Sequence, residues 1–418
     1  MTAKHIHKSE SYSGWIHSSR LHVIMYSMLL VATPFLILQN FLQDAIGRFS
    51  VSTFELGELQ IPIVPILFLA LLILLIIAFR SYLTRMRMLA GVIALLMIAL
   101  AQQVTDYYFD HRFYELQQNW HYIAYSIFAF IMYRDLAPRG IPLARIILIT
   151  FIAATLFSSF DEVVQKFISS RVFDIGDIAK DIWGTLAGLV IIYFGRENAR
   201  ALPSNWKQIR HKRLHNYLKH PFSLIVLMFI LSLMFLVYGS LLTEFIYLKY
   251  VILLTICSFV IFFILFHISQ YKWGKYSLVV IITAGLLVQT FFFVKHRSDN
   301  IIYYKNGLMV YKGIPIFFFD IMIFPDGTFR LVDKKYYFKH RDRVFLMKQK
   351  ADIVIIGSGA YGEGGLGFSE KTVSQFIFNP HIQRGTQFII IKSSEACQLF
   401  NSLKQEKKNV LFVLHNTY

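Results

Sequence analysis

The sequence predicts a polytopic all-α transmembrane bundle of about nine helices, followed by a C-terminal α/β globular domain. Three observations predict it. The 418 residues are 56% hydrophobic and only 16% charged, with a mean hydropathy of +0.52, whereas soluble globular domains carry about 25% charged residues. The apolar residues stand in long blocks, without the period of an amphipathic helix or a half-buried strand. After Val294 those blocks give way to short β-rich runs broken by turn residues.

Residues 1–20 form a polar tail with Lys4, Lys8 and Arg20. Nine apolar blocks follow, at about 22–41, 61–79, 88–104, 120–136, 143–160, 181–195, 221–238, 246–268 and 277–294; a spanning helix needs about 20 such residues. The sixth is short and opens on the polar Asp181. The first follows twenty polar residues and is too long for the apolar part of a secretory leader, so no signal peptide is expected. With the N-terminus inside, the inner loops hold eighteen Lys and Arg and the outer loops six. That asymmetry predicts a multi-pass protein of the cell membrane with a cytoplasmic N-terminus. Helix parity then puts the C-terminal domain outside, although its own basic balance suits an anionic inner leaflet.

The net charge of +17 resides mainly in those loops, so it gives no reason to expect a nucleic-acid partner. Cys257 and Cys397 stand far apart in sequence and suggest neither a disulfide framework nor a cysteine metal cluster. No cofactor is expected.

Between the fifth and sixth blocks lies the stretch Ser158 to Gly188, which the chain is organised around. It holds Asp161, Glu162, Gln165, Arg171, Asp174, Asp177 and Asp181. A carboxylate at a bilayer centre costs about 2.5–3.5 kcal/mol even on lenient scales, so intramembrane charges point to function by default. Glu162 and Gln165 share one helical face, as do Asp174, Asp177 and Asp181 if that part is helical. Arg171 between them is the evident counter-charge. Gly184 and Gly188 form a small-xxx-small pair that admits a close neighbour. The orientation places this stretch, the loop 106–119 and His121 on the outer side. His121, Glu162, Gln165, Arg171, Asp174, Asp177 and Asp181 are therefore the candidate ligand-binding residues.

The ordered pattern E-x-x-Q, then R-x-x-D-x-x-D-x-x-x-D-x-x-G (Glu162, Gln165, Arg171, Asp174, Asp177, Asp181, Gly184) resembles the VanZ-like family of membrane proteins, over roughly residues 88–195. His121 and Tyr125 fit that family's preceding helix. Gln117 and Gln118 stand where it usually has a charged pair, and Asp181 where Asn is commoner. The resemblance implies an integral membrane protein connected with envelope or glycopeptide (teicoplanin-type) response, and no established reaction.

Several readings of the cluster stay open. As a headgroup site, Arg171 and His121 take a phosphate or other anionic group, and Glu162 or Asp174 a hydroxyl, an amine or a cation. The partners would be membrane lipids or a lipid-linked envelope precursor. The aspartates also suit a divalent ion by oxygen ligation. As an enzyme acting on a lipid-linked substrate, Glu162 and His121 are the acid/base pair; no activated serine or cysteine and no HExxH motif is evident. As packing, Arg171 bridges carboxylates and fixes the helices.

Residues 196–220 form a basic linker, either a surface amphipathic helix (Trp206, Ile209, Leu214, Tyr217 and Leu218 on one face) or a plain inner loop. His211, His215 and His220 there lack an acidic partner and read as solvated or headgroup-facing. Residues 221–295 make a three-helix bundle. In 299–418, Ser369–Phe378 and Ser394–Lys404 read as helices, Thr386–Lys392 and Val410–His415 as strands, and 325–327 (PDG) as a turn. The glycine run holding Gly357, Gly359 and Gly362 is a possible anion loop, with a tight turn after the strand the stronger reading.

The runs DIMIFPDG (320–327) and DIVIIGSG (352–359), with Ser394, Glu395, Ala396, Asn401, Leu403 and the final LHNTY, are similar to the adipogenesis-associated "Mth" domain family. The resemblance covers roughly 300–418 and implies a mixed sheet with flanking helices and no settled activity. A protein partner of this domain, with the bundle as anchor of an assembly scaffold, is the third functional alternative. Asn401 is expected to pair backbone groups and His415 to be structural.

Overall fold

The computed structural model describes residues 52–56, 59–105, 116–167, 173–195, 211–296, 301–334, 338, 340–364 and 374–417, with a few single positions before 52. They divide into two compact parts, one built on 112–239 with 1–104 and 249–263, the other on 264–418 with 240–248 and 105–111.

The first part opens with a short hairpin, β1 (Thr53–Leu56) and β2 (Leu59–Pro62). The helices α1 (Ile63–Ala78), α2 (Arg85–Thr105), α3 (Leu116–Leu136), α4 (Leu143–Gln165) and α5 (Ile175–Gly195) follow. After the linker come α6 (His215–Lys219), α7 (Pro221–Leu241) and most of α8 (Leu248–Ile268); the end of α8 and α9 (Lys272–His296) belong to the second part. Among the described residues, six helices are long and apolar enough to cross a membrane: α2, α4, α5, α7, α8 (with the preceding turn from Phe245) and α9.

Six of the nine expected blocks are among these helices. The block at 22–41 lies almost wholly outside the described residues. The block at 61–79 becomes α1, whose 16 residues fall short of a full span. The block at 120–136 becomes α3, long enough at 21 residues but diluted by polar groups such as Gln117, Asn119, His121, Arg134 and Asp135. The sixth block starts at Ile175, a turn and a half earlier than its apolar run suggests. Asp174 explains the early start: its Oδ1 accepts from Gly176 N at 2.7 Å, the side-chain cap that satisfies an orphan N–H at a helix start. Asp177 in the first turn adds favourable charge at the positive end of the helix.

The short sixth block is therefore the centre of the bundle. Of its apolar window 83% is buried, against none for α9. Trp183, Leu186, Leu189 and Val190 of α5 pack with Ala94 and Met97 of α2, Tyr122 and Ala129 of α3, and Met228 of α7. Trp183 Nε1 donates to Met97 O at 2.9 Å, and Ser126 Oγ to Gly184 O at 2.8 Å. A Cβ on Gly184 would lie 2.8 Å from Tyr122 Cα, and one on Gly188 2.7 Å from Ser126 O. The backbones of α3 and α5 thus touch, as the small-xxx-small spacing anticipates.

Of the linker 196–220, residues 196–210, including Trp206 and Ile209, lie outside the described residues. Leu214 and Leu218 are exposed and Tyr217 is buried. His211 stacks on His220 with ring centroids 4.4 Å apart and hydrogen-bonds Ser223 Oγ at 2.8 Å.

The second part carries the α/β domain. A three-stranded antiparallel sheet, β3 (Ile301–Lys305), β4 (Leu308–Tyr311) and β5 (Ile314–Phe317), precedes a six-stranded mixed sheet. The latter contains β6 (Asp320–Ile323), β7 (Phe329–Val332), β8 (Ile353–Gly357), β9 (Ser374–Asn379), β10 (Arg384–Ile391) and β11 (Val410–Leu414), in the order β7-β6-β11-β8-β10-β9. Its centre, β11-β8-β10, is parallel, and the outer pairs are antiparallel. The helices are α10 (His340–Lys348) and α11 (Ser393–Gln405). Strand β11 shows why the sheet sits where it does. Val410, Phe412 and Leu414 pack on α11, Leu411 and Val413 on the opposite core with Phe338 and Leu346, and all five are buried. A strand covered on both faces reads as a continuous apolar run.

The expected helix at Ser369–Phe378 is a strand where it is described: Ser374–Asn379 pairs antiparallel with β10, Phe376 opposite Gln387 and Phe378 opposite Gly385. Alternating Phe-Ile-Phe suits a pleated surface, and the free edge of β10 supplies the partner. The PDG turn is present, with Gly327 at φ +80° and its N–H donating to Phe324 O at 2.9 Å.

Replacing Gly184 by Ala should destabilise the bundle by about 1–3 kcal/mol through overpacking, whereas a Cβ at Gly91 meets nothing within 4 Å. Thermal unfolding of the two variants in detergent checks this: Gly184→Ala melts earlier and Gly91→Ala does not.

Candidate functional site

Six of the seven residues singled out from the sequence come together where α3, α4 and the start of α5 meet; the seventh, Arg171, lies outside the described residues. The C-terminal end of α4 brings Ser158, Asp161, Glu162 and Gln165, all buried. The Asp174 cap and the first turns of α5 bring Asp174, Asp177, Lys180 and Asp181. From α3 comes His121, with 22% of its side chain exposed.

Their bonding is specific. His121 Nδ1 pairs with Asp181 Oδ1 at 2.8 Å, and its Nε2 lies 3.7 Å from Asp177 Oδ1. Ser158 Oγ donates to the other oxygen of Asp181 at 2.7 Å. Gln165 Nε2 donates to Glu162 Oε1 at 3.0 Å and to Asp161 Oδ2 at 3.1 Å. Asp174 N donates to Glu162 Oε2 at 2.8 Å, tying α4 to the start of α5. Lys180 Nζ donates to Asp177 Oδ1 at 2.8 Å. Asp161 Oδ1 is buried with no hydrogen-bond partner among the described residues.

Two features differ from the sequence reading. The partners of His121 are Asp181 and Asp177, not Glu162, because Asp181 falls inside α5 directly across from α3. Lys180 is the cation inside the described cluster. From the sequence it counts only as an outer-loop charge, although its spacing of three from Asp177 is the signal that pairs them. Ser158 and Asp161 were likewise outside the candidate set. Chemically, a histidine whose Nδ1 is held by a buried carboxylate presents Nε2 in a fixed direction, the arrangement of an oriented acid/base or anion donor. Among the described residues no group of three or more His, Cys, Asp or Glu side chains is placed to hold a metal ion.

The second candidate, the glycine run, is turned inward. Ser358 N donates to Ile391 O and Gly364 N to Ser358 O, both at 2.8 Å. Gly359 N donates to Ser393 Oγ at 2.8 Å, and that hydroxyl donates in turn to His415 O at 2.8 Å. Gly359 and Gly362 have φ of +89° and +83°. The amides of Ser358, Gly359 and Gly364 thus have acceptors within the chain, as in a tight turn. Residues 365–373 of the run and beyond lie outside the described residues.

Beside that turn is a buried polar knot. Asp320 Oδ2 pairs with His415 Nδ1 at 2.6 Å, and Asp320 Oδ1 with Lys334 Nζ at 3.2 Å and Asn416 N at 3.0 Å. Lys334 Nζ also donates to Phe318 O at 2.8 Å and to Thr417 Oγ1. Burial alone would raise the Asp320 carboxyl, but His415 and Lys334 beside it hold it below its ordinary value. Asn401 pairs both backbone groups of Ile301, accepting from its N–H at 2.9 Å and donating to its C=O at 2.8 Å.

No family model matches the chain, and no curated protein matches it. A solved structure called "MT938" is similar at 18% identity over 28% of this chain and 98% of its own, with a TM-score of 0.23, too slight a likeness to support any argument.

A depressed carboxyl stabilises the fold above its unfolded pKa, and that contribution is lost as pH falls through the folded value. The protection of Val410–Leu414 amides in the full chain, taken relative to the intrinsic exchange rate at each pH, should therefore fall on acidification below the ordinary carboxylate range. Lys334→Met, which leaves Asp320 only His415 and the Asn416 N–H as partners among the described residues, should lower that protection already at neutral pH, by an opening free energy about 1–3 kcal/mol smaller.

Proposed function

We propose that this chain is a multi-pass membrane protein of the VanZ-like kind, with a cytoplasmic N-terminus and an Mth-type C-terminal domain. In this reading the cluster of α3, α4 and α5 faces the outer leaflet and binds the headgroup of an anionic lipid or lipid-linked envelope precursor, in a role linked to envelope or glycopeptide response. Six helices long and apolar enough to span, and the Lys and Arg asymmetry of the loops, support the membrane setting.

The observation that carries the binding reading is the meeting of His121, Lys180, Asp161, Glu162, Asp174, Asp177 and Asp181 at one end of three apolar helices. Bilayer interiors do not tolerate such groups singly. Arg171 and His121 take the phosphate, and the carboxylates take the hydroxyl or amine groups beyond it. Lipid retained by the purified protein tests this by mass spectrometry. A charge-assisted hydrogen bond is worth about 1.5–3 kcal/mol, so Arg171→Ala should lose about tenfold or more of the bound lipid while keeping its melting temperature. Unchanged retention in a folded Arg171→Ala protein sinks the reading.

One observation favours a second reading, an enzyme acting on a lipid-linked substrate: the His121–Asp181 contact of 2.8 Å with Ser158 on the far oxygen. His121 is then the acid/base and Asp181 its positioning residue. Turnover of an isoprenoid-phosphate lipid should fall about 100-fold or more in His121→Gln, a larger loss than that of bound lipid. Absence of turnover in the unaltered protein, with and without divalent cations, leaves binding alone.

A further inference from the structure

The sheet β3-β4-β5 has one ordinary face and one anomalous face. Inward, Met309, Tyr311 and Ile316 are buried in the core with Ile355, Phe400 and Phe412. Outward, the register aligns Tyr303, Val310 and Pro315 in one row and Lys305, Leu308 and Phe317 in the next. The outer face of an antiparallel sheet beside water alternates to polar residues. Here one of six positions is polar, and Phe317 and Tyr303 are 61% and 46% exposed. Ile302, at the bulge between Ile301 and Tyr303, adds another exposed apolar side chain.

The place of this sheet along α9 indicates what covers that face. The turn between β4 and β5 is fixed to the helix: Gln289 Nε2 donates to Gly313 O at 3.1 Å. Gly313, at φ +77°, sits so close that a Cβ would lie 2.6 Å from Phe292 O. Gln289 stands about 26 Å along the helix from Lys272 at ~1.5 Å per residue, near the far boundary of a hydrocarbon layer ~30 Å thick. Only residues 297–300 separate the end of α9 at His296 from the start of β3 at Ile301. No residue in the apolar window of α9 is buried. The polar and amphipathic groups at this level are those of a membrane interface. Tyr303 belongs to the aromatic type enriched there. Lys305 on the sheet can extend its charge toward headgroups along an apolar stem, and Lys295 and His296 close the helix.

We propose that the outward face of this sheet is a bilayer-seating surface. Tyr303, Leu308, Val310, Pro315 and Phe317 lie in the boundary between headgroups and acyl chains, and Lys305 and Lys295 meet anionic headgroups. This rests on the reading of α9 as a span. It adds a second element to the membrane-bound part of the protein and fixes the C-terminal domain against the leaflet at which α9 ends. Lipid is favoured over a second protein because the surface continues from a helix that is itself uncovered, and because its one charge is a long-stemmed lysine.

Nitroxide labels on the full chain in vesicles of phosphatidylcholine with a minority of phosphatidylglycerol test this. The background is Cys257→Ser. Cys397 stays unlabelled at neutral pH because it is buried and burial pushes its thiol up to about 12. Phe317→Cys reports the surface, Leu286→Cys the middle of α9, and Gln405→Cys an exposed position on α11. Collisional accessibility to oxygen relative to a water-soluble nickel chelate should be several-fold higher at 317 and 286 than at 405. A lipid-like value at 286 with a water-like value at 317 overturns the surface and leaves the span standing. A water-like value at 286 overturns the span reading and the surface with it. Exclusion of both reagents at 317 with spin–spin broadening identifies a second copy as the cover and overturns the lipid assignment.

Discussion

The backbone contact between α3 and α5 is the constraint on which the rest of the bundle depends. Two glycines, Gly184 and Gly188, remove the Cβ atoms that would hold the helices apart. A Cβ on Gly184 would also lie 2.9 Å from His121 O, so the close approach brings His121 level with the turn that begins at Asp181. The 2.8 Å contact between them follows from that geometry. At ordinary interaxial distances of 8–10 Å, a side chain as short as Asp would not be held so firmly against the ring. Burial of α5 on all sides is the other consequence, and it explains why a helix with Asp177, Lys180 and Asp181 in its first turns lies at the centre of the bundle.

How much of this was legible in the sequence depended on period. Glu162 and Gln165, and Asp174, Asp177 and Asp181, fall on faces that spacing alone reveals, and Gly184 and Gly188 announce the close contact. What the sequence did not disclose was helix phase. Reading α5 from its apolar run starts it at Asp181. The Asp174 cap starts it at Ile175, which moves Asp181 from the helix mouth to its second turn and Lys180 from a loop into the cluster. That shift exchanges the partner of His121 from Glu162 to Asp181. Apolar runs locate a helix body, while caps locate its ends, and here the cap was one of the residues reserved for function.

The C-terminal domain shows a different limit. Its central strand was plain, because five consecutive apolar residues need two covered faces. Strand β9 was not, since its partner is the edge of β10 and nothing local declares it. The buried knot was legible only at His415. Lys334 sits in the run Asp333-Lys334-Lys335, which resembles a solvated turn, yet its side chain is fully buried. It is retained there by Asp320, Phe318 O and Thr417, a set drawn from β6, the end of β5 and the chain terminus. Pairing of that kind is a property of the assembled sheet and leaves no periodic trace.

If the cluster of α3, α4 and α5 binds a headgroup as proposed, its charge constrains what that headgroup would bring. Five carboxylates (Asp161, Glu162, Asp174, Asp177 and Asp181) face two cationic or potentially cationic groups among the described residues. Both of those are already engaged, Lys180 with Asp177 and His121 with Asp181. Glu162 is met by an amide and a backbone N–H, Asp174 by a backbone N–H, and Asp161 by one arm of Gln165. Neutral donors of this sort ease carboxylates without cancelling them. In the proposed headgroup reading, Arg171 and His121 would take the anion, and the carboxylates would take groups that donate: hydroxyls, or an amine. A bare phosphate satisfies only half of such a site. A headgroup that presents phosphate on one side and donors on the other would satisfy both, and Asp161 Oδ1, buried with no hydrogen-bond partner among the described residues, is one acceptor the donor side would meet.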